Sequence, residues 1–158
     1  MVLFFVYVLA DKNSTILLPI VSHVKEGIAQ KSKGNIPLII AIMGCSGVGK
    51  SYCAQQLAHL FQKEGIHTVV VKFDDFLDPD YKDLVYFHPA FRYDDAHRFM
   101  QSVLKGEQVI TKPLWNPKRH QENQPQKIIE NLSLKDAQVV ICEGEFTLCT
   151  DTPYDFKK

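Results

Sequence analysis

One glycine-rich segment constrains the fold of this chain more than any other feature. Residues 44–51 have the sequence GCSGVGKS, which fits the pattern G-x-x-x-x-G-K-[ST]. A short apolar run, residues 37–43 (PLIIAIM), precedes it, and apolar residues at helical spacing follow it. Strand, glycine-rich loop and helix in this order predict a phosphate-binding loop, because inward-facing N–H groups and a helix N-terminus favour an anion.

The residue types within this motif suit a nucleoside triphosphate. Glycines let the backbone approach the phosphates closely, the Lys50 ammonium can reach the β- and γ-phosphates, and the Ser51 hydroxyl can be a Mg²⁺ ligand. An ordinary glycine turn is the alternative interpretation. We predict that ATP contacts the loop and the residue after it, namely Gly44, Cys45, Ser46, Gly47, Val48, Gly49, Lys50, Ser51 and Tyr52.

The rest of the chain alternates between two hydrophobic periods. Apolar runs predict buried strands over residues 37–43, 68–73 and 137–142. Apolar spacing of three or four predicts helices over residues 14–31, from Gly49 to Gly65, from a cap at Asp94 to Gly106, and over 128–134. This alternation predicts an α/β fold, with a doubly wound, mostly parallel sheet and helices on both faces.

The beginning of the chain is set apart by composition. Residues 1–10 (MVLFFVYVLA) are apolar, no Lys or Arg precedes them, and no convincing cleavage site follows. A strand, a short packing helix or an upstream start is therefore favoured over a signal peptide. We predict that residues 1–32 form an N-terminal extension with an amphipathic helix, and that residues 33–158 form the domain that carries the glycine-rich loop.

Charge and cysteine usage restrict the partners and the compartment. Lys plus Arg and Asp plus Glu each total 18, so the formal net charge is zero and a basic surplus for nucleic acid or an anionic membrane is missing. No apolar run reaches the roughly 18 residues that span a bilayer. The four cysteines lack CxxC spacing, which predicts free thiols in a reducing compartment, the cytoplasm. A homo-oligomer stays open.

Acidic residues follow the second and third apolar runs. Asp74 and Asp75 come after residues 68–73, and Glu143 comes after residues 137–142. Beside a phosphate loop, an aspartate could accept a proton from an attacking hydroxyl or hold Mg²⁺ through water, and Glu143 could serve the Mg²⁺ side. The alternatives are a turn or cap aspartate and a solvated loop glutamate.

These motifs occur in an order that resembles the phosphoribulokinase/uridine kinase superfamily, to which the bacterial pantothenate kinases are related. The resemblance runs from about Pro37 to Leu148. It rests on GCSGVGKS, Asp74-Asp75-Phe76, Tyr93-Asp94, Leu104-Lys105-Gly106, Pro113-Leu114-Trp115 with His120, and Val140-Ile141-Cys142-Glu143-Gly144.

The resemblance implies an ATP-dependent, Mg²⁺-dependent kinase for a small hydroxyl-bearing molecule: a nucleoside, a pantothenate-like acid, a sugar or glycerate. Asp74 matches the catalytic base and acts with Lys50, and Glu143 matches the acid at the magnesium site. A nucleotide-binding relative without turnover is the main alternative, and an NTPase that hydrolyses its nucleotide is a third.

The resemblance also implies an acceptor site. Trp115 matches an aromatic residue against which the acceptor packs, and His120 matches a histidine that contacts it. Asp75, which follows the base, is expected to contact the acceptor as well. Arg92 stands where uridine kinases carry an acid that holds the ribose, and a cation there suits a carboxylate or phosphate on the acceptor. The family continues past the Glu-Gly segment with another strand and an arginine-bearing lid, so we expect a chain that ends at Lys158 to be incomplete there.

Overall fold

A four-stranded parallel sheet forms the centre of the protein. The computed structural model describes residues 17–31, 36–77, 91–114 and 129–145, and the backbone of residues 3–7. The central strands are β1 (Leu3–Tyr7), β2 (Leu38–Met43), β3 (Thr68–Lys72) and β6 (Val139–Glu143), in the order β1-β2-β6-β3. All three pairings are parallel, which confirms the predicted α/β fold with a mostly parallel sheet.

Helices cover both faces of this sheet because its inner strands are apolar on both sides. β6 alternates its side chains between two core clusters: Val139 and Ile141 pack with α1 (Leu18–Gln30) and α2 (Lys50–Lys63). Val140 and Cys142 pack on the opposite face with α3 (Tyr93–Leu104) and a short 3₁₀ helix (Phe73–Phe76). The sheet is therefore the middle layer of three.

A second, two-stranded sheet lies beside α3. Strands β4 (Val109–Pro113) and β5 (Ile129–Ser133) pair antiparallel, and among the residues described they share no ladder with the central sheet. The prediction of a helix over residues 128–134 is therefore wrong. The burial of β5 alternates along the strand, as expected for a ribbon with one face on the core.

The helices correspond closely to their predicted positions. α1 starts at Leu18 with Pro19 in its first turn, where proline is tolerated. α3 begins at Tyr93 after Arg92, without a side-chain cap, so Asp94 lies in the first turn and is not the predicted cap. Negative charge in that turn still favours the helix through its dipole.

The first strand belongs to the central sheet. β1 pairs with β2 from Leu3↔Ile39 to Tyr7↔Met43, so the strand interpretation of the apolar start holds for residues 3–7. Val21 and Val24 of α1 are buried in the same cluster as β2 and α2. The boundary at residue 32 stays a prediction. No helix in the described ranges is long and apolar enough to cross a membrane.

Candidate active site

Strand register brings the acidic residues to the glycine-rich loop. Glu143, at the end of β6, is paired with Ile42 on one side and Lys72 on the other. Gly44 begins the loop just past β2, and Asp74 lies just past β3. Three predicted groups therefore meet at the carboxyl edge of the sheet, where ligands of such folds bind.

The loop turns sharply into α2. Gly49 precedes the helix with a φ of 95°, a left-handed conformation that glycine adopts without steric cost, and its carbonyl accepts the Cys53 N–H at 2.9 Å. The Lys50 side chain is buried, and its Nζ donates to the Cys45 carbonyl at 2.9 Å. The lysine therefore folds back onto the loop and places one positive charge there, as phosphate binding requires.

Ser51 and Glu143 form the candidate magnesium site. Ser51 Oγ donates to Glu143 Oε1 at 2.9 Å, while Glu143 Oε2 is buried without a hydrogen-bond partner among the residues described. Burial raises the pKa of the Glu143 carboxyl; the Ser51 hydrogen bond acts in the opposite direction. A buried carboxylate oxygen with an open coordination position suits a cation.

The number of protein ligands also fits magnesium. Across the described ranges, no three His, Cys, Asp or Glu side chains are close enough together to hold a metal ion. Mg²⁺ commonly uses one or two protein oxygens and takes the remainder from waters and substrate phosphates. Ser51 and Glu143 thus suit a Mg²⁺ ion that is also bound by nucleotide phosphates and waters, rather than a metal ion held by protein ligands alone.

Asp74 is the exposed carboxylate next to this pair. It lies in the 3₁₀ helix, whose residues Phe73 and Phe76 are buried. Desolvation by the surrounding protein raises the pKa of Asp74, and Lys50 partly offsets this through its positive charge. A carboxylate with a raised pKa accepts a proton more readily than a free aspartate, as a general base requires.

Gly144 allows this close packing at the end of β6. A Cβ at this position would lie 2.9 Å from Phe73 Cβ and 3.2 Å from Asp74 Oδ1. Its N–H donates to the Ile42 carbonyl at 3.1 Å. The absence of a side chain at Gly144 therefore lets the glutamate strand pass directly beside the aspartate.

Asp75 has entirely different surroundings from its neighbour. It is buried, and its Oδ2 accepts a hydrogen bond from Lys112 Nζ at 2.6 Å. Lys112, on β4, is also buried and forms a second ion pair with Glu130 of β5 at 3.0 Å. The substrate role expected for Asp75 stays a prediction; its structural role is a buried ion pair.

A cleft of about 690 Å³ opens next to that ion pair. The 3₁₀ helix, α3 and β4 form its walls, and Asp75, Arg92, Asp95, Arg98 and Lys112 line it. Arg92 and Arg98 both form ion pairs with Asp95. Asp95 is thus shared between the two arginines, and the expected contact of Arg92 with an anionic acceptor stays a prediction.

Of the remaining predicted site residues, the structure describes some and not others. Tyr52 is 54% exposed on the first turn of α2, while Trp115 and His120 lie outside the described residues. Sequence reasoning missed Lys112 and Asp95. The signal for Lys112 was weak: a lysine alternating with Ile110 in a strand-like run.

The described cysteines are free thiols of two kinds. Cys53 and Cys142 are buried, as predicted, and Cys45 is exposed on the loop. Complete burial raises the pKa of Cys142 to about 12, so it stays a neutral thiol inside the core. Cys149 lies outside the described residues.

Together, the parallel sheet, the glycine-rich loop and the helix after it define an α/β fold of the P-loop type. A solved structure described as a possible uridine kinase from Bacillus stearothermophilus superposes with a TM-score of 0.65 at 20% identity, over 87% of this chain and 74% of that one. A protein from Silicibacter sp. TM1040, proposed to be a fructose transport system kinase, gives 0.65 at 21% identity, over 87% and 66%. At these identities the likeness concerns the fold alone.

A curated protein that is similar to this chain in sequence is also a kinase by name. The chain is 29% identical over 118 residues to a uridine kinase from Brevibacillus brevis, which covers 71% of this chain and 52% of the relative. The chain thus spans about half the length of the curated relative that it matches. No protein-family model matches the chain. The resemblance to uridine kinase-like P-loop kinases, predicted from the order of the motifs, is confirmed.

Proposed function

We propose that this protein is an ATP-dependent kinase that transfers the γ-phosphoryl group to an alcohol of a small molecule. Three strand ends bring Lys50, Asp74 and the Ser51–Glu143 pair to one edge of the sheet, and this arrangement supports a kinase. Each of these groups has a distinct task in phosphoryl transfer.

The phosphate side would bind and neutralise the nucleotide. Backbone N–H groups of residues 44–51 and the start of α2 favour the phosphates, and Lys50 adds a full positive charge. Ser51 and Glu143 would hold Mg²⁺, whose charge offsets that of the phosphate oxygens. Little covalent chemistry is required of the protein, because positioning and electrostatics provide most of the catalysis.

The acceptor side would position a hydroxyl at Asp74. This carboxylate is exposed, lies past the end of β3, and has a raised pKa, so it can take the hydroxyl proton during attack. The cleft between the 3₁₀ helix, α3 and β4 starts at the next residue, Asp75, and is large enough for a small polar molecule. We place the acceptor there: a nucleoside, a pantothenate-like acid, a sugar or glycerate.

The deciding experiment measures ADP release from MgATP across a panel of these four acceptor classes, with the Lys50→Ala variant as the blank. Release that depends on one acceptor would establish a kinase and name its substrate. Release without acceptor dependence would identify a hydrolase and overturn the proposal. Silence across the panel, together with nucleotide binding, would identify a binding protein without turnover.

Nucleotide binding is tested separately by thermal unfolding. MgATP at about 100 times its Kd should stabilise the fold by about 2.7 kcal/mol. At roughly 2–4 °C per kcal/mol, this is a rise in Tm of about 5–11 °C. Lys50→Ala should remove most of the rise, whereas Lys105→Ala, which changes an exposed lysine at the end of α3, should retain it. An equal rise in both variants would place the nucleotide elsewhere.

Thiol content and net charge bear on the compartment and the partners of this protein. The free thiols of Cys45, Cys53 and Cys142 and the zero net charge support a cytoplasmic enzyme with a small-molecule substrate and without a nucleic-acid partner. Self-association would be measured by sedimentation of the purified chain.

A further inference from the structure

The 3₁₀ helix points two neighbouring carboxylates in different directions. Successive side chains of a 3₁₀ helix are about 120° apart, so Asp74 and Asp75 cannot share a face. Asp74 lies beside Gly144 at the carboxyl edge of the central sheet, whereas Asp75 is buried against Lys112 of the second sheet. The same four residues thus connect the phosphate side with the wall of the cleft.

Lys112 has no donor left for a ligand. An ammonium carries three N–H donors. Lys112 Nζ has three acceptors within reach: Asp75 Oδ2 at 2.6 Å, the Pro113 carbonyl at 3.3 Å and Glu130 Oε2 at 3.0 Å. With 4% of its surface exposed, the side chain is committed to these contacts although it lines the cleft. It is therefore unsuited to direct recognition of an acceptor.

The Asp75–Lys112 pair is buried and Glu130 is partly exposed, so this cluster of charges is not explained by stability alone. Apolar residues of similar volume often replace a buried ion pair without loss, while removal of a single partner is strongly destabilising. Lys112 and Glu130 face each other across the β4–β5 ladder, so the cluster holds both strands of the second sheet to Asp75. Among the described residues, no backbone ladder joins that sheet to the central one.

We propose that Lys112 is a positioning residue that holds the 3₁₀ helix through Asp75 and so fixes Asp74 relative to the phosphate loop. The proposal rests on the proposed kinase function, because it assigns Lys112 an effect on phosphoryl transfer. The position of the β4–β5 sheet, one wall of the cleft, is thereby transmitted to the catalytic carboxylate. Placement at the ångström scale matters here, since misplacement by about 1 Å can cost about 100-fold in rate.

The first measurement is amide hydrogen exchange in Lys112→Met, with Lys105→Met as the matched control at an exposed lysine. Two amides report on the 3₁₀ helix: Leu77 N–H donates to the Asp74 carbonyl at 3.2 Å, and Arg92 N–H to the Phe76 carbonyl at 2.8 Å. The Cys53 amide, bonded to Gly49, reports on the loop and α2. We expect exchange at Leu77 and Arg92 to rise about tenfold or more while Cys53 is unchanged.

The second measurement separates positioning from a purely structural role. Lys112→Met should lower kcat about 10- to 100-fold while KM for MgATP stays near its original value. In an Asp74→Asn background, the same change should have no further effect on the residual rate, because Lys112 acts only through Asp74. An additive loss in that background would assign Lys112 a role independent of Asp74 and overturn the proposal.

A double variant covers the case in which Lys112→Met does not fold. Asp75→Asn with Lys112→Met removes both buried charges and should restore folding without restoring kcat. In the folded Lys112 variant, unchanged exchange at Leu77 and Arg92, or an equal rise at Leu77, Arg92 and Cys53, overturns the proposal. If the unaltered protein releases no ADP with any acceptor, the kinase function fails, and the exchange pattern alone then decides whether Lys112 holds the helix.

Discussion

Asp74 and Asp75 are adjacent in the chain and carry the same chemical group, yet the fold gives them opposite environments. Asp74 is exposed beside the glycine-rich loop, and the charge of Lys50 offsets only part of the desolvation that raises its pKa. Asp75 is 6% exposed and bonded to a buried lysine. A short 3₁₀ helix thus separates a candidate general base from a buried structural carboxylate through the rotation between consecutive residues.

Replacement of Asp74 should cause the greatest loss of activity. Asp74→Asn should lower acceptor-dependent ADP release about 10²–10⁴-fold, the usual contribution of a general base. The rise in Tm with MgATP should be retained, because the amide leaves the loop and Lys50 intact. Steady-state kinetics and thermal unfolding check the two halves. Asp94→Asn, at an exposed aspartate in α3, is the control, and full activity in Asp74→Asn would assign the base elsewhere.

The matched change at the structural aspartate should act on stability instead. Among the residues described, Asp75→Asn leaves the buried Lys112 with Glu130 as its one anionic partner, at a cost of about 3 kcal/mol. This corresponds to a fall in Tm of about 6–12 °C. Urea unfolding measures the free energy directly, again with Asp94→Asn for comparison. A loss below that of the control would show that the buried pair contributes little.

Gly144→Ala tests the packing that holds Asp74 in place. The new methyl group would lie 2.9 Å from Phe73 Cβ, which should destabilise the fold by about 1–3 kcal/mol and lower kcat by displacing Asp74. Gly65→Ala is a useful control, since Gly65 has a φ of 73° at the end of α2 but no atom within 4 Å of a new Cβ. It should lose stability and keep its kcat, and equal kcat losses in the two variants would contradict our account.

The smallest expected effect concerns pH. The folded state raises the pKa of Asp74 above its ordinary value of 3.8. At pH values between 3.8 and the raised pKa, folded Asp74 keeps a proton that the unfolded chain has released, so the free energy of unfolding falls as pH rises. Asp74→Asn lacks this penalty. The variant should gain stability relative to the original protein between pH 3.8 and neutral pH. Urea unfolding across that range measures the difference, and a constant difference would rule out the raised pKa.

The arrangement of the candidate nucleotide site was largely predictable from sequence. Its loop is a local motif, and Lys50 and Ser51 lie within eight consecutive residues. Glu143 was found because an apolar run ends at an acid, and parallel register then brings such ends together. Local pattern and global topology agree here, so a single sequence was sufficient.

The cleft beside Asp75 was less predictable, because its walls form through contacts between residues far apart in the sequence. β4 places Ile110 and Lys112 on its inner face, and a charged residue at an inward position hides the alternation that marks a strand. The sequence of β5 predicts a helix, because the pairing with β4 that makes it a strand involves residues about 20 positions away. Nothing near Asp75 in the sequence indicates a partner 37 residues away.

The Ser51–Glu143 hydrogen bond also has a consequence for how the molecule folds. It joins residues 92 positions apart, and β2 can pair with β6 only after that long segment has been closed. Non-local parallel pairing is slow, because the entropy of loop closure is lost before any contact compensates for it. This hydrogen bond should therefore form in a late kinetic phase, after α2 has become helical, and a nucleotide added during refolding would meet an incomplete candidate site until β6 has joined the sheet.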